Sequence, residues 1–245
     1  QILLAADPAE NVDFMIHGIF SYQLFGQEVY ITTSHVCLLI VVLLLCAFFI
    51  IGGNVFRHAE TIPSGFQNFL EIIVEFLDGM VVKTMGKKGR GFRDYIGTIF
   101  IFILFSNISG LLGLRPPTAD YGVTLPLGIV TFVLIHVNEF RFNSLKAIWI
   151  DKCSPLPPWL PIWFPINLIS DIAVPISLSL RLFANVLSGT VMMALVYGLL
   201  SKVAYGWPAV LHVYFDLFSG AIQTYVFCML TMTYISNAMG GEENA

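Results

Sequence analysis

Long stretches without a single charged side chain constrain this chain most. No Asp, Glu, Lys or Arg occurs from Val29 to Phe56, from Tyr95 to Leu114, or from Tyr121 to Asn138. The runs are 28, 20 and 18 residues long, enough for an α-helix of about 20 residues to cross a bilayer, and a charge at mid-bilayer is costly. Over all 245 residues, 57% are apolar and only 11% charged, with a mean hydropathy of +0.80. A soluble domain carries roughly 25% charged residues. Strands of a membrane barrel would be shorter and alternating. The sequence therefore predicts an all-α polytopic membrane protein with about five transmembrane helices, read as one membrane domain over residues 1–245.

In chain order, residues 1–28 are polar and acidic and form an N-terminal segment outside the spans. The first span falls near Ser34 to Ile51, and Gly52-Gly53-Asn54 is expected to end it. Residues 62–86 follow as an amphipathic interfacial helix, centred on Ser64 to Met85. Phe66, Phe69, Leu70, Ile73, Phe76, Leu77 and Met80 recur at helical spacing, with Glu71, Glu75 and Asp78 opposite. Such a helix either docks on a partner or presents a solvated face. A basic run from Lys83 to Arg93 leads into the second span, and Arg115-Pro116-Pro117 closes it. The third span is Tyr121 to Asn138, followed by a mixed loop over 139–161. Nine Lys and Arg flank the spans on the side of residues 57–93 and 139–153, against two (Arg115 and Lys202) on the other. That bias predicts the N-terminus outside and the C-terminus cytoplasmic.

The last two apolar segments, within 162–240, are too long for simple spans. Ile166 to Leu200 would measure about 52 Å as a helix and Pro208 to Met239 about 48 Å. The hydrocarbon layer is about 30 Å thick, so both must tilt, kink or protrude. They also carry charge. Arg181 sits in mid-helix, with no acidic residue between Ile172 and Phe215. Ser177, Arg181, Asn185, Ser188 and Met192 share a helical face, with Ala184 and Gly189 as small neighbours that allow close helix approach. Asp171 precedes Arg181 by about 15 Å along the helix. Asp216, Ser219, Gly220 and Gln223 line a face of the last helix, with Asp216 toward its outer end. One acid neutralising Arg181 would leave the second, offset to the opposite side, unexplained.

These residues resemble a known family. PISLSLRLFANVLSG followed by AIQTYVFCMLTMTYIS is similar to subunit a of the F-type ATP synthase, in its bacterial form. GFQNFLEIIVEFLDGM, IFILFSNISGLLG and PPTADYGVTL extend the resemblance over most of the chain. It implies a non-catalytic ion-translocating stator subunit of a rotary motor. Arg181 would be the essential stator arginine facing the ring of c subunits, with Asn185 and Gln223 as polar neighbours. Asn107 would line an outer access path. Asp216 stands where other members carry Glu or His, as does Thr190, so Asp216 would carry more of the outer exchange. Asp171 would lie near an inner path, and Ser177 and Ser188 would add polar lining. Expected partners are the c-ring, the b subunit stalk, other ATP synthase subunits and the lipid bilayer.

Other classes fit less well. A secondary transporter would show an internal repeat with matching broken helices, and none is visible; an ion channel built on an Arg/Asp pair stays open as the alternative. The five histidines (His17, His35, His58, His136 and His212) form no cofactor or metal pattern, and His136 and His212 read as interfacial or satisfied polar groups. The four cysteines have no disulfide or metal spacing, so no cofactor or metal is expected. No basic stripe indicates nucleic acid.

Overall fold

The computed structural model describes residues 18–24, 27–58, 65–112, 115–146, 148, 163–199 and 207–240. Expectations for residues 1–17, for most of the proline-rich loop with Cys153, and for Lys202 lie outside the described residues.

Among the described residues, five helices are long and apolar enough to cross a membrane. Two short antiparallel strands precede them, β1 (Gly18–Leu24) and β2 (Gln27–Thr32), with Leu24 opposite Gln27. The sequence reading had no strand here. The hairpin fits two runs rich in aromatic and β-branched residues joined by residues 25–26.

α1 (Thr33–Arg57) runs six residues beyond the expected end. Gly52-Gly53 does not stop it, although each glycine costs about 1 kcal/mol relative to Ala in a helix. In lipid, leaving a helix means leaving backbone groups unsatisfied, and the residues that follow, Val55 and Phe56, are still apolar. α2 (Phe66–Met85) is the amphipathic helix. It buries Leu70, Leu77, Met80, Val81 and Met85 and leaves Phe66, Phe69 and Phe76 exposed. Its apolar surface is thus wider than the stripe this chain covers. A 3₁₀ segment (Gly86–Phe92) takes up the basic run and leads into α3 (Arg93–Ile108), where Arg93 pairs with Asp78 of α2 at 2.6 Å. α4 (Tyr121–Phe142) extends four residues past the third expected span.

α5 (Trp163–Leu199) is one unbroken helix of 37 residues with Pro175 inside it. The last segment is not a uniform helix. α6 (Trp207–His212) passes into a π-helical stretch (Val213–Ser219), then into α7 (Gly220–Ala238). π turns are rare and concentrate at functional sites.

The chain divides into two compact units. Unit 1 comprises residues 1–54, 101–120 and 183–224; its packing includes Phe48 of α1 against Phe105 of α3, with ring centroids 5.7 Å apart. Unit 2 comprises residues 55–100, 121–182 and 225–245. In unit 2, α4 meets α5 closely at Gly128. A Cβ added there would lie 2.6 Å from the carbonyl oxygen of Pro175. A backbone oxygen cannot turn aside as a side chain does, so the absence of a side chain at 128 sets this approach. Gly128→Ala should lower the thermal midpoint of the purified protein by the equivalent of about 1–3 kcal/mol. Gly97→Ala, whose Cβ would meet only Leu77 Cδ1 at 3.6 Å, should leave it nearly unchanged. Equal midpoints for the two variants would contradict the close approach.

Candidate functional site: two polar clusters and an uncovered arginine

In unit 1 the polar residues gather around Asn107 near the end of α3. Its side chain is 3% exposed, and each of its polar atoms has a partner. Nδ2 donates to the Gly220 carbonyl at 3.1 Å and approaches Thr224 Oγ1 at 3.4 Å. Oδ1 accepts from Thr118 Oγ1 at 2.9 Å. One side chain thereby ties α3, the 3₁₀ turn Pro117–Ala119 and the start of α7 together. Sequence reasoning gave Asn107 a lining role; the geometry adds that it is a clamp.

Asp216 lies beside this clamp on the π-helical stretch, with its side chain 17% exposed. His212 Nδ1 is 3.1 Å from its Oδ2. A Cβ on Gly110 would lie 3.1 to 3.3 Å from the carboxyl atoms, so the 3₁₀ turn Ser109–Leu112 that follows α3 offers Asp216 a seat without a side chain. Ser219 Oγ donates to Asn185 Oδ1 at 2.9 Å, which links the π-helical stretch to α5. Asn107, Asn185, Asp216 and Gly220 border a cavity of only about 10 Å³, near the minimum that holds one water. Gln223 is 8% exposed, and its Nε2 has no hydrogen-bond partner among the described residues. Such an amide costs about 1–3 kcal/mol unless something meets it.

Unit 2 holds the second cluster. His136 of α4 and Asp171 of α5 approach to 4.0 Å across a cavity of about 220 Å³ that Glu139, Tyr234 and Asn237 also line. Asn143 Nδ2 donates to the Ala238 carbonyl at 2.8 Å, fixing the end of α4 to the end of α7 beside it.

Arg181 belongs to neither cluster. It is exposed and has no ion-pair partner among the described residues. Among the exposed residues of α5, Ala173, Ser177, Arg181, Ala184, Ser188 and Met192 fall along one stripe. α5 is also the least covered of the five spans, with 17% of its apolar window buried. Ser188 and Thr190 satisfy their hydroxyls on carbonyls of their own helix, Asn185 and Leu187, at 2.9 and 2.8 Å.

The structure thus brings Asn107, Asn185, Asp216 and their neighbours together, and leaves Ser177, Arg181 and Ser188 on the open face. It adds residues that the sequence reading passed over. His212 is four residues before Asp216, a helical spacing that was legible. His136 and Asp171 are far apart in sequence, and nothing in the linear pattern joins them.

Such an arrangement defines a class: a helical membrane protein whose charge-poor spans hold two polar clusters and a separate, exposed arginine. The family model described as "ATP synthase A chain" matches residues 35–236. The chain belongs to that family. "ATP synthase subunit a, sodium ion specific" of Propionigenium modestum is 35% identical over 203 residues, covering 76% of this chain and 68% of the relative. "ATP synthase subunit a" of Oceanobacillus iheyensis is 31% identical over 243 residues, 93% and 97% of the two chains. "ATP synthase subunit a 3" of Pelobacter propionicus is 36% identical over 207 residues, 84% and 86%. This chain is accordingly a non-catalytic, ion-translocating subunit, an integral protein of a bacterial membrane that works with other ATP synthase subunits.

The Asn107 clamp has a direct consequence. A Cβ at Gly220 would lie 2.9 Å from Asn107 Cβ, whereas one at Gly189 would meet Phe215 Cβ at an ordinary 3.5 Å. Gly220→Ala should reduce the fraction of intact complex on a native gel after mild heating, through a loss of about 1–3 kcal/mol. Gly189→Ala should not. Equal heat resistance of Gly220→Ala and the unaltered complex would remove the clamp's structural importance.

Proposed function

We propose that the chain supplies two offset half-channels to a ring of c subunits, separated by Arg181. The observation that carries this reading is the uncovered stripe on α5. A guanidinium in an apolar span, with no acid beside it and small residues on either side, is an expensive feature for a surface meant to meet lipid alone. It suits a surface that a partner covers with carboxylates of its own. A carboxyl facing lipid stays protonated because its charged form is poorly solvated. Beside Arg181 it is held ionised, since an arginine keeps its proton at any accessible pH. Arg181 thereby stops a proton from passing straight between the two paths, and each c-subunit site must travel nearly a full turn.

The unit 1 cluster with Asp216, Asn107 and Asn185 forms the outer path in this reading, and the unit 2 cluster with Asp171 the inner one. Gln223, with its unmatched amide, would serve as a polar neighbour of the ring carboxylate. Ser177, Ser188 and Thr190 would add polar lining beside the stripe. The Lys and Arg bias supports a C-terminus in the cytoplasm, with the b subunit as a further stator partner. The amphipathic segment over 62–86 would lie at the interface, and the hairpin over 162–240 would face the ring.

We take the coupling ion to be the proton, although one relative is named as sodium ion specific. His212 lies 3.1 Å from Asp216. Imidazole exchanges protons near neutral pH, whereas hard cations favour all-oxygen ligand sets. The rival channel reading, with an Arg/Asp pair as the conducting site, gains nothing from an aspartate whose carboxylate is met by histidine.

Arg181→Ala should abolish ATP synthesis driven by a proton gradient in complexes that still assemble. Arg181→Lys should fail nearly as fully, because an ammonium lacks the planar fork and loses its proton more readily when desolvated. Gradient-driven synthesis at the unaltered rate in an assembled Arg181→Ala complex would overturn the assignment.

A further inference from the structure

His136 sits where three helices of unit 2 end together, and its ring is fixed on two sides. Nδ1 is 3.0 Å from the Phe132 carbonyl oxygen. That oxygen can only accept, so Nδ1 carries the hydrogen. The Phe132 ring lies against the imidazole, with centroids 4.1 Å apart. The neutral tautomer therefore turns the lone pair of Nε2 toward Asp171, whose Oδ2 is 4.0 Å away. A gap of 4.0 Å exceeds a hydrogen bond, so a proton passes between these two acceptors only as the side chains close on one another. Both side chains remain reachable, at 25% and 28% exposure, from the cavity of about 220 Å³ between them. The other titratable groups lining that cavity are Glu139 on α4 and Tyr234 on α7. Glu139 adds negative charge to the cavity lining when ionised.

We propose that His136 is the proton-collecting residue of the path that ends at Asp171. Nε2 takes a proton from hydronium at the cavity mouth, leaving water and an imidazolium. As the two side chains close from 4.0 Å to hydrogen-bond reach, the same Nε2–H proton passes to Asp171 Oδ2, giving a neutral carboxyl group and restoring the neutral imidazole. Nδ1–H stays on Phe132 throughout, so the ring neither flips nor changes tautomer. Transfer in the other direction releases a proton by the same two steps. The residue acts because one imidazole nitrogen can both take up and give away a proton while the other keeps its hydrogen bond. This inference rests on the assignment of Asp171 to the inner path.

The test uses the whole ATP synthase in inverted membrane vesicles, whose cytoplasmic face meets the medium. ATP-driven proton pumping is followed as the medium goes from about pH 6 to pH 8.5, the range spanning imidazole titration. His136→Gln keeps a donor for Phe132 but cannot carry a proton. It should pump normally at the acid end and about a hundredfold more slowly at the alkaline end, the lower limit of the usual gain from a positioned proton carrier. Free imidazole added to the medium should restore much of the loss. A merely structural role would give a deficit at every pH that imidazole leaves unchanged, and that outcome overturns the proposal, as does an unaltered profile. If His136→Gln complexes fail to assemble, Asp171→Asn is read instead: an alkaline-end deficit supports the relay and an unaltered profile overturns it. Arg181→Ala vesicles run alongside keep the two readings distinct. Pumping by Arg181→Ala would sink the stator assignment, whereas pH-independent pumping by His136→Gln with a silent Arg181→Ala would sink only the relay.

Discussion

An arginine that its own chain leaves uncovered in a membrane span is the constraint on which the rest depends. Inside hydrocarbon, polar groups must find partners within the protein or facing water. Unit 1 obeys this closely: Asn107, Asn185, Asp216, Ser219 and Thr224 all have partners. Arg181 stands apart as an exposed cation on the least covered span. The buried exceptions in unit 1 among the described residues, Ser34, Ser106 and Gln223, are uncharged groups, whereas Arg181 carries a full charge. The stripe is read most simply as half of an interface, and family membership identifies ATP synthase subunits as what this chain assembles with.

In the two-path reading proposed above, the differences between the two clusters matter for conduction. The one around Asp216 is tight, with a cavity of about 10 Å³ and a clamp through Asn107. The one around Asp171 is wider, at about 220 Å³, and its aspartate and histidine are each about a quarter exposed. A narrow path depends strongly on each proton-carrying group along it, because water cannot substitute. A wider path admits water, so loss of one carboxylate there is less damaging. The π-helical stretch around Asp216 fits the same logic. It departs from regular helix geometry at the residues that carry the polar cluster.

Much of this was legible in the sequence, for definite reasons. Charge-free runs mark spans because the cost of buried charge is large, and all five were found. Their ends were less legible: Gly52-Gly53-Asn54 looked like a stop, but α1 continues to Arg57 because apolar residues follow and lipid penalises an early exit. The β1–β2 hairpin was hidden within a segment judged by its polarity. Arg181, Asp216 and Asn107 stood out as polar residues in apolar surroundings. His136 did not, since its partner Asp171 lies on another helix and only the packing of α4 against α5 joins them. The π-helical stretch was invisible as well, because residues 213–219 carry no distinctive composition.

The claim that Asp216 and Asp171 serve separate paths is tested most directly by Asp216→Asn. That change keeps size and hydrogen bonding near His212 but removes the exchangeable charge. In assembled complexes, ATP synthesis is measured as the pH on the outer side is raised at constant inner pH. The account predicts a steep loss that deepens as outer protons become scarce, with Asp171→Asn showing a milder loss insensitive to outer pH. Normal assembly of Asp216→Asn with an unaltered outer-pH profile would contradict it.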